Sequence, residues 1–146
     1  IMLGTEASTS NEMAVTQEQL DFLRATMDLA TAEGKPVFVF NHHPVNREEG
    51  EYVYSIINIL ESYKNVFYIY GHTHWPLYSH TMQVYDKVHM LNVPMFTSIN
   101  PEDTTGEDTG VAFALEVYDD SVVFRARDCY DGKWLENYTY TIPIEK

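Results

Sequence analysis

A chain of 146 residues that is 45% hydrophobic and 14% aromatic has the material for a sizeable buried core, which excludes disorder over most of its length. Its formal net charge of −13, from 22 acidic against 9 basic residues, excludes nucleic-acid binding through a basic face and attraction to anionic membrane surfaces. The lone Cys129 excludes an internal disulfide framework and a cysteine-based zinc site, and no apolar run reaches the length of a transmembrane helix.

In chain order, Ile1-Met2-Leu3 reads as a strand already under way, followed by Gly4 and a polar stretch to Asn11. No basic-then-apolar signal pattern precedes it, and the start suggests a chain cut from something longer. Thr16-Gln17-Glu18-Gln19 has the form of a capping box. Leu20, Leu23, Met27 and Ala30 follow at helical spacing until Gly34 and Pro36 stop the element. Val37-Phe38-Val39-Phe40 is a continuous apolar run, as in a strand buried on both faces. A second helix is expected from Glu51 to Tyr63, with Val53, Ile56, Ile57 and Leu60 inward, and Val66-Phe67-Tyr68-Ile69-Tyr70 repeats the buried-strand pattern. This alternation predicts an α/β fold, a mixed sheet with helix crossovers.

Beyond residue 74 the pattern turns β-rich. Val88 to Val93 reads as a short strand, and Asn100 to Gly110 as a polar, acidic loop. Residues 111–118 and 121–127 read as an antiparallel hairpin around Asp119-Asp120, with a further antiparallel strand from Trp134 to Ile144 after a turn at Asp131-Gly132.

The chemistry lies in two histidine clusters, Asn41-His42-His43-Pro44 and Gly71-His72-Thr73-His74. Each directly follows a predicted buried strand, and in open α/β sheets ligands collect at the carboxyl ends of strands. His72 and His74 are one residue apart, so on extended backbone both project to one side, and imidazole binds zinc, manganese or iron without a charge change at neutral pH. A single histidine is more often a satisfied core or surface residue; two clusters at neighbouring strand ends point to part of a metal site.

Those residues resemble the calcineurin-like metallophosphoesterases. Gly71-His72-Thr73-His74 looks like that family's Gly-His-x-His motif, and Val39-Phe40-Asn41-His42-His43-Pro44 resembles the apolar strand with His-His-Pro that precedes it. One helix and one strand fill the gap, and the likeness covers nearly the whole chain. It implies an αββα sandwich of two mixed sheets flanked by helices, with two divalent metal ions of the manganese, iron or zinc class between them. It further implies His42 and His72 as ligands of one ion and His74 as a ligand of its neighbour, with His43 as a pocket residue. Trp75, directly after His74, is a candidate for the substrate mouth by position, although an aromatic packed beneath a loop is the more common use. The family reaction is hydrolysis of a phosphomonoester or phosphodiester, in which cations about 3.5 Å apart polarise the phosphoryl oxygens for in-line attack.

The family's earlier motifs, Asp-x-His, Gly-Asp-x-x-Asp and Gly-Asn-His-Asp/Glu, do not occur here. The chain therefore looks like the carboxyl-terminal half of a larger metallophosphoesterase domain, residues 1–146 forming one domain with it. No catalytic set is complete in it. Without the bridging carboxylate two close cations would repel, so this chain alone is expected to be inactive and to hold at most one ion, through His42, His72 and His74. Apolar surface that the other half would cover favours that half, or a homodimer, as partner. The alternative function is a non-catalytic metal-binding or assembly module. Substrate identity and localisation stay open; the acidic, Tyr- and Thr-rich composition fits a secreted or cell-surface protein without requiring it.

Other features carry less. His80 and His89 read as surface or hydrogen-bonding residues. Glu48, Glu49 and Glu51 suit a solvated loop at a helix start, and Glu102, Asp103, Glu107 and Asp108 lack the ordered spacing of a calcium loop. Asn137-Tyr138-Thr139 matches a glycosylation sequon by a short pattern, and Cys129 is expected to pack rather than react.

Overall fold

A computed structural model of the chain describes residues 1–4, 14–45, 51–77, 80–85, 87–96 and 110–146, without the side chains of residues 51–54. Its elements are α1 (Gln17–Ala30), β1 (Val37–Phe40), α2 (Glu51–Leu60), β2 (Val66–Tyr70), β3 (Met82–Tyr85), β4 (Val88–Asn92), β5 (Val111–Val117), β6 (Ser121–Asp128) and β7 (Lys133–Pro143). The chain is thus mixed α/β and mostly strand, with two sheets. No helix among the described residues is long and apolar enough to cross a membrane.

Helix α1 begins where the sequence places it. Thr16 is extended (φ −92°, ψ 161°), and its hydroxyl accepts from the Gln19 amide at 3.4 Å, satisfying a donor that the first turn leaves open. At the other end Thr31 donates both its amide and its hydroxyl to the Met27 carbonyl, and Gly34 at φ +70° lets the chain turn away. Helix α2 ends at Leu60, three residues before the expected Tyr63. Ser62 and Tyr63 donate to Ile59 and Leu60, tightening the last turn, and Asn65 at φ +56° redirects the backbone into β2. Ile56, Ile57 and Leu60 are buried as expected, while the Val53 side chain lies outside the described residues.

The first sheet has the order β1-β2-β4-β3, with β1, β2 and β4 mutually parallel and β3 antiparallel to β4. Strand β3 falls in a stretch whose sequence showed no period; Met82 and Tyr85 are only partly buried and Gln83 and Val84 are exposed, so burial wrote no alternation into it. β2 lies at the centre and is buried along its whole length. The opening residues extend this sheet: Met2 bridges Phe40 in parallel, with Leu3 donating to the Phe40 carbonyl and Phe40 to that of Ile1.

Side chains alternate across this sheet. Val37, Val39, Val66, Tyr68, Tyr70, Val88 and Met90 face Leu20, Leu23 and Met27 of α1 and Ile56, Ile57 and Leu60 of α2. Phe67, Ile69 and Leu91 face the other way, onto Val122, Phe124 and Ile142 of the second sheet. That sheet is antiparallel, in the order β5-β6-β7. The turn into β7 is held by the Asp128 carboxylate, which accepts from the amides of Tyr130 and Asp131, with Gly132 at φ +69° completing it. Helices therefore cover one face of the first sheet and a second sheet covers the other. Parallel strands buried on both faces bring their carboxyl ends out together at one edge.

Cys129 corrects the expectation of a packed thiol. It is exposed, in the turn after β6, and its Sγ reaches only the Arg127 carbonyl at 3.7 Å. The two acidic loops weighed above, around Glu48 and around Glu102, lie outside the described residues.

Candidate metal centre

The site stands at the carboxyl ends of β1 and β2. Asn41 leaves β1 with its amide bonded to the Ile69 carbonyl, and its buried side chain accepts from the His42 amide at 2.7 Å. The His42 carbonyl then accepts from the Gly71 amide, so the two histidine-bearing loops are stitched together at their first residues. The Tyr68 hydroxyl, buried beneath the sheet end, donates to the His43 carbonyl at 2.9 Å.

The second loop is unusual in its backbone. The Thr73 amide donates to the Gly71 carbonyl at 2.8 Å around His72, whose φ is +67°. This is a γ-turn of the rarer, strained hand on a residue with a Cβ. His74 follows at φ +51°. Such a backbone costs roughly 1–3 kcal/mol per residue and persists where surrounding contacts dictate it. Here the contact is Asn92, at the end of β4 and 2% exposed: its amide nitrogen donates to the Thr73 hydroxyl at 3.0 Å, and its Oδ1 accepts from that hydroxyl at 3.2 Å. Asn92 is itself fixed by donating its main-chain amide to Thr81.

The consequence is a convergence of three imidazoles. His72 Nδ1 stands 3.3 Å from His42 Nε2, and the ring of His43 lies 4.1 Å from that of His72 and 4.9 Å from that of His42, centroid to centroid. One nitrogen from each of His42, His43 and His72 lies within 4.8 Å of the others, an arrangement able to hold a metal ion. Two nitrogens at roughly 2.0–2.1 Å from one tetrahedral zinc stand about 3.3–3.4 Å apart, so the closest pair already has the spacing of two ligands on one ion. No carboxylate belongs to the cluster among the described residues.

The four histidines thus divide differently from the expectation. His42 is exposed and His72 half-buried, and both line an open cavity of about 280 Å³ with His74, Gly71 and residues 93–96. His43 is buried behind them, in the nitrogen cluster and away from the cavity wall, where it was expected as a pocket residue. His74 is exposed at the cavity and lies outside the cluster. Trp75 is 52% exposed and is not part of the cavity wall, although its carbonyl accepts from Met95 beside it.

His80 is exposed and uses its carbonyl to accept from Gln83. His89 sits at the opposite end of the sheet, stacked on Phe67 at 5.3 Å, where burial pushes its pKa below the ordinary histidine value. Sequence reasoning passed over Asn92, Tyr68 and Asn41, which position the loops. The available signal was an Asn closing each of two apolar runs, Asn41 after β1 and Asn92 in β4, where a buried amide needs a defined partner. Compared with protein-family models, with curated proteins and with solved structures, the chain matches none.

Proposed function

We propose that this chain is part of a metal-dependent phosphoesterase that hydrolyses a phosphomonoester or phosphodiester, and that it is the carboxyl-terminal half of a metallophosphoesterase-like αββα sandwich. The observation that carries the reading is the pair of histidine nitrogens, His42 Nε2 and His72 Nδ1, 3.3 Å apart at the carboxyl ends of two adjacent parallel strands. Helices on one face of the mixed sheet and a second sheet on the other supply three of the four layers of such a sandwich, and the outer face of the second sheet carries no helix among the described residues. A bound divalent ion would supply Lewis acidity toward a phosphoryl oxygen.

The rest falls to the chain's own groups. His42 and His72, which line the cavity, would hold the ion, and His74 on the same cavity would meet a phosphoryl oxygen or a second ion. Val93, Pro94, Met95 and Phe96 give the cavity an apolar wall against which the organic part of an ester can lie. The two-ion reaction needs a carboxylate beside the ions, and the cluster has none among the described residues; the reading places it upstream, in the other half of the domain.

The test is hydrolysis of an aryl phosphate monoester and diester, with manganese or zinc added, by this chain and by a version extended upstream. Turnover is expected in the extended form alone. His72→Ala should lower it by on the order of 10²–10⁴-fold, the scale of losing several kcal/mol of charge stabilisation. Metal uptake without turnover in either form would replace this reading with a metal-binding or assembly module, which a cluster without a carboxylate among the described residues favours.

A further inference from the structure

We infer that the ion this chain binds is a single late first-row cation of the zinc class, held by His42, His43 and His72, with His74 outside its ligand set. The inference rests on the metal-centre reading above for the place of the site, and not for the reaction.

Geometry selects the third ligand. His43 follows His42 directly, and its ring lies nearly perpendicular to that of His42 and closest, at 4.1 Å, to that of His72. It is 2% exposed, and its main chain is held by the buried Tyr68 hydroxyl, so its ring has no route to solvent without unpacking the sheet end. The widest nitrogen pair, at most 4.8 Å, must close by no more than about 1.4 Å to reach a tetrahedral edge, a modest rotation of the imidazoles about their side-chain bonds. His74 has the opposite setting. Its left-handed backbone carries it to the cavity and out to solvent, while the same kind of backbone at His72 turns that ring inward.

Donor chemistry selects the metal. Three imidazoles, with no carboxylate in the cluster among the described residues, suit zinc, cobalt, nickel or copper. Magnesium, calcium and manganese favour oxygen donors and gain little here. His42 and His72 line the cavity and His43 does not, so the cavity side of the triad is where a fourth ligand or a substrate oxygen arrives. Three protein ligands with one open position is the arrangement of reactive rather than purely structural zinc sites.

The test is titration of the metal-free 146-residue chain with zinc and separately with manganese, followed by calorimetry and by the imidazole nitrogen resonances of ¹⁵N-histidine-labelled protein. One zinc per chain is expected, with manganese at least about 100-fold weaker. Zinc should move the ring nitrogens of His42, His43 and His72 and leave those of His74 in place. His43→Gln should weaken zinc by more than the 10–100-fold that loss of an outer partner costs, and His74→Gln by less than about twofold. The wild-type resonances decide the matter even if His43→Gln fails to fold. Movement of His74 in place of His43 overturns this inference and leaves the phosphoesterase reading standing. Movement of the proposed three without hydrolysis by the extended chain upholds the inference and sinks that reading. No zinc uptake at all overturns this inference, and the phosphoesterase reading then stands or falls on hydrolysis by the extended chain.

Discussion

At the carboxyl ends of β1 and β2, nitrogens of His42 and His72 stand 3.3 Å apart in a cluster without a carboxylate among the described residues. At the amino ends of β2 and β4, His89 lies against Phe67 in a hollow of about 350 Å³ that also holds Glu61, Lys64, Lys87 and Glu145. Both ends carry histidine, and both carry residues other than glycine at positive φ: His72 and His74 at one, Asn65 and Lys87 at the other. The difference is what closes them. At the amino end the Asn65 side chain imitates a strand, donating to the Glu145 carbonyl at 2.9 Å and accepting from its amide at 2.7 Å, while Lys64 faces the Glu145 carboxylate at 3.6 Å. Asn65 and Lys64 there find their partners within the chain, at Glu145. At the carboxyl end, three imidazoles are brought together by a strained loop and point at one another. Residue type alone does not make a site; strand direction and the closing partners decide which end can receive an ion.

The strongest way to break this comparison is to remove a residue that serves the fold but touches only the amino end. Phe67 is 1% exposed, stacks on Phe38 at 5.3 Å, packs on Phe124 at 5.6 Å and lies under His89. Phe67→Ala should cost about 3–5 kcal/mol in chemical denaturation, the transfer term plus an unfilled cavity between the sheets. Zinc affinity of the molecules that remain folded should stay within about twofold, since the ring partners of Phe67, namely Phe38, Phe124 and His89, include no member of the triad. A parallel fall in affinity would mean that the two ends are one cooperative unit.

Much of this was legible in the sequence, and what was missed has physical reasons. The capping box at Thr16 and the apolar runs of β1 and β2 announced their elements, because burial on one helix face or on both sheet faces writes a period or a continuous run. The histidine pairs at the ends of those runs announced a site. The sequence was silent on β3, whose partly buried and exposed residues carry no clean alternation. The short end of α2 was hidden because Glu61, Ser62 and Tyr63 are all compatible with helix, and only the left-handed Asn65 forces the turn. That His43 rather than His74 joins the nitrogen cluster was hidden for a similar reason. One-residue spacing predicts a shared side only on extended backbone, and His72 and His74 are both left-handed.

Asn92 sharpens the comparison at the carboxyl end. It touches Thr73 rather than any imidazole, and so acts by positioning the loop that carries His72. Asn92→Ala leaves the Thr73 hydroxyl without that partner in a partly buried place, which should cost about 1–3 kcal/mol. It should also weaken zinc by about 10–100-fold, as loss of an outer partner does at other metal sites. Denaturation and zinc calorimetry on the same samples separate the two effects. Phe67→Ala is expected to move stability alone and Asn92→Ala both, and an Asn92→Ala protein that kept full zinc affinity would show the γ-turn at His72 to be held by other contacts.

The smallest effect belongs to His89. Burial disfavours its charged form, and the Glu145 carboxylate only partly offsets that; Lys64 and Lys87 on the same hollow add no attraction for a proton. Its folded pKa therefore lies below the ordinary value of about 6.5 that holds in the unfolded chain. Above that value both states are neutral and the contribution to stability is complete. As pH falls below it the unfolded chain takes up a proton that the folded chain refuses, so stability declines until the folded pKa is passed. Melting temperatures of the metal-free wild type and of His89→Gln, measured from pH 7.5 down to pH 5, should diverge in slope, the wild type losing more. The imidazoles at the other end of the sheet are present in both proteins, so their titration cancels in the comparison. Equal slopes would mean that His89 gains its proton as readily folded as unfolded, and that the hollow at the amino end is wetter than its packing on Phe67 indicates.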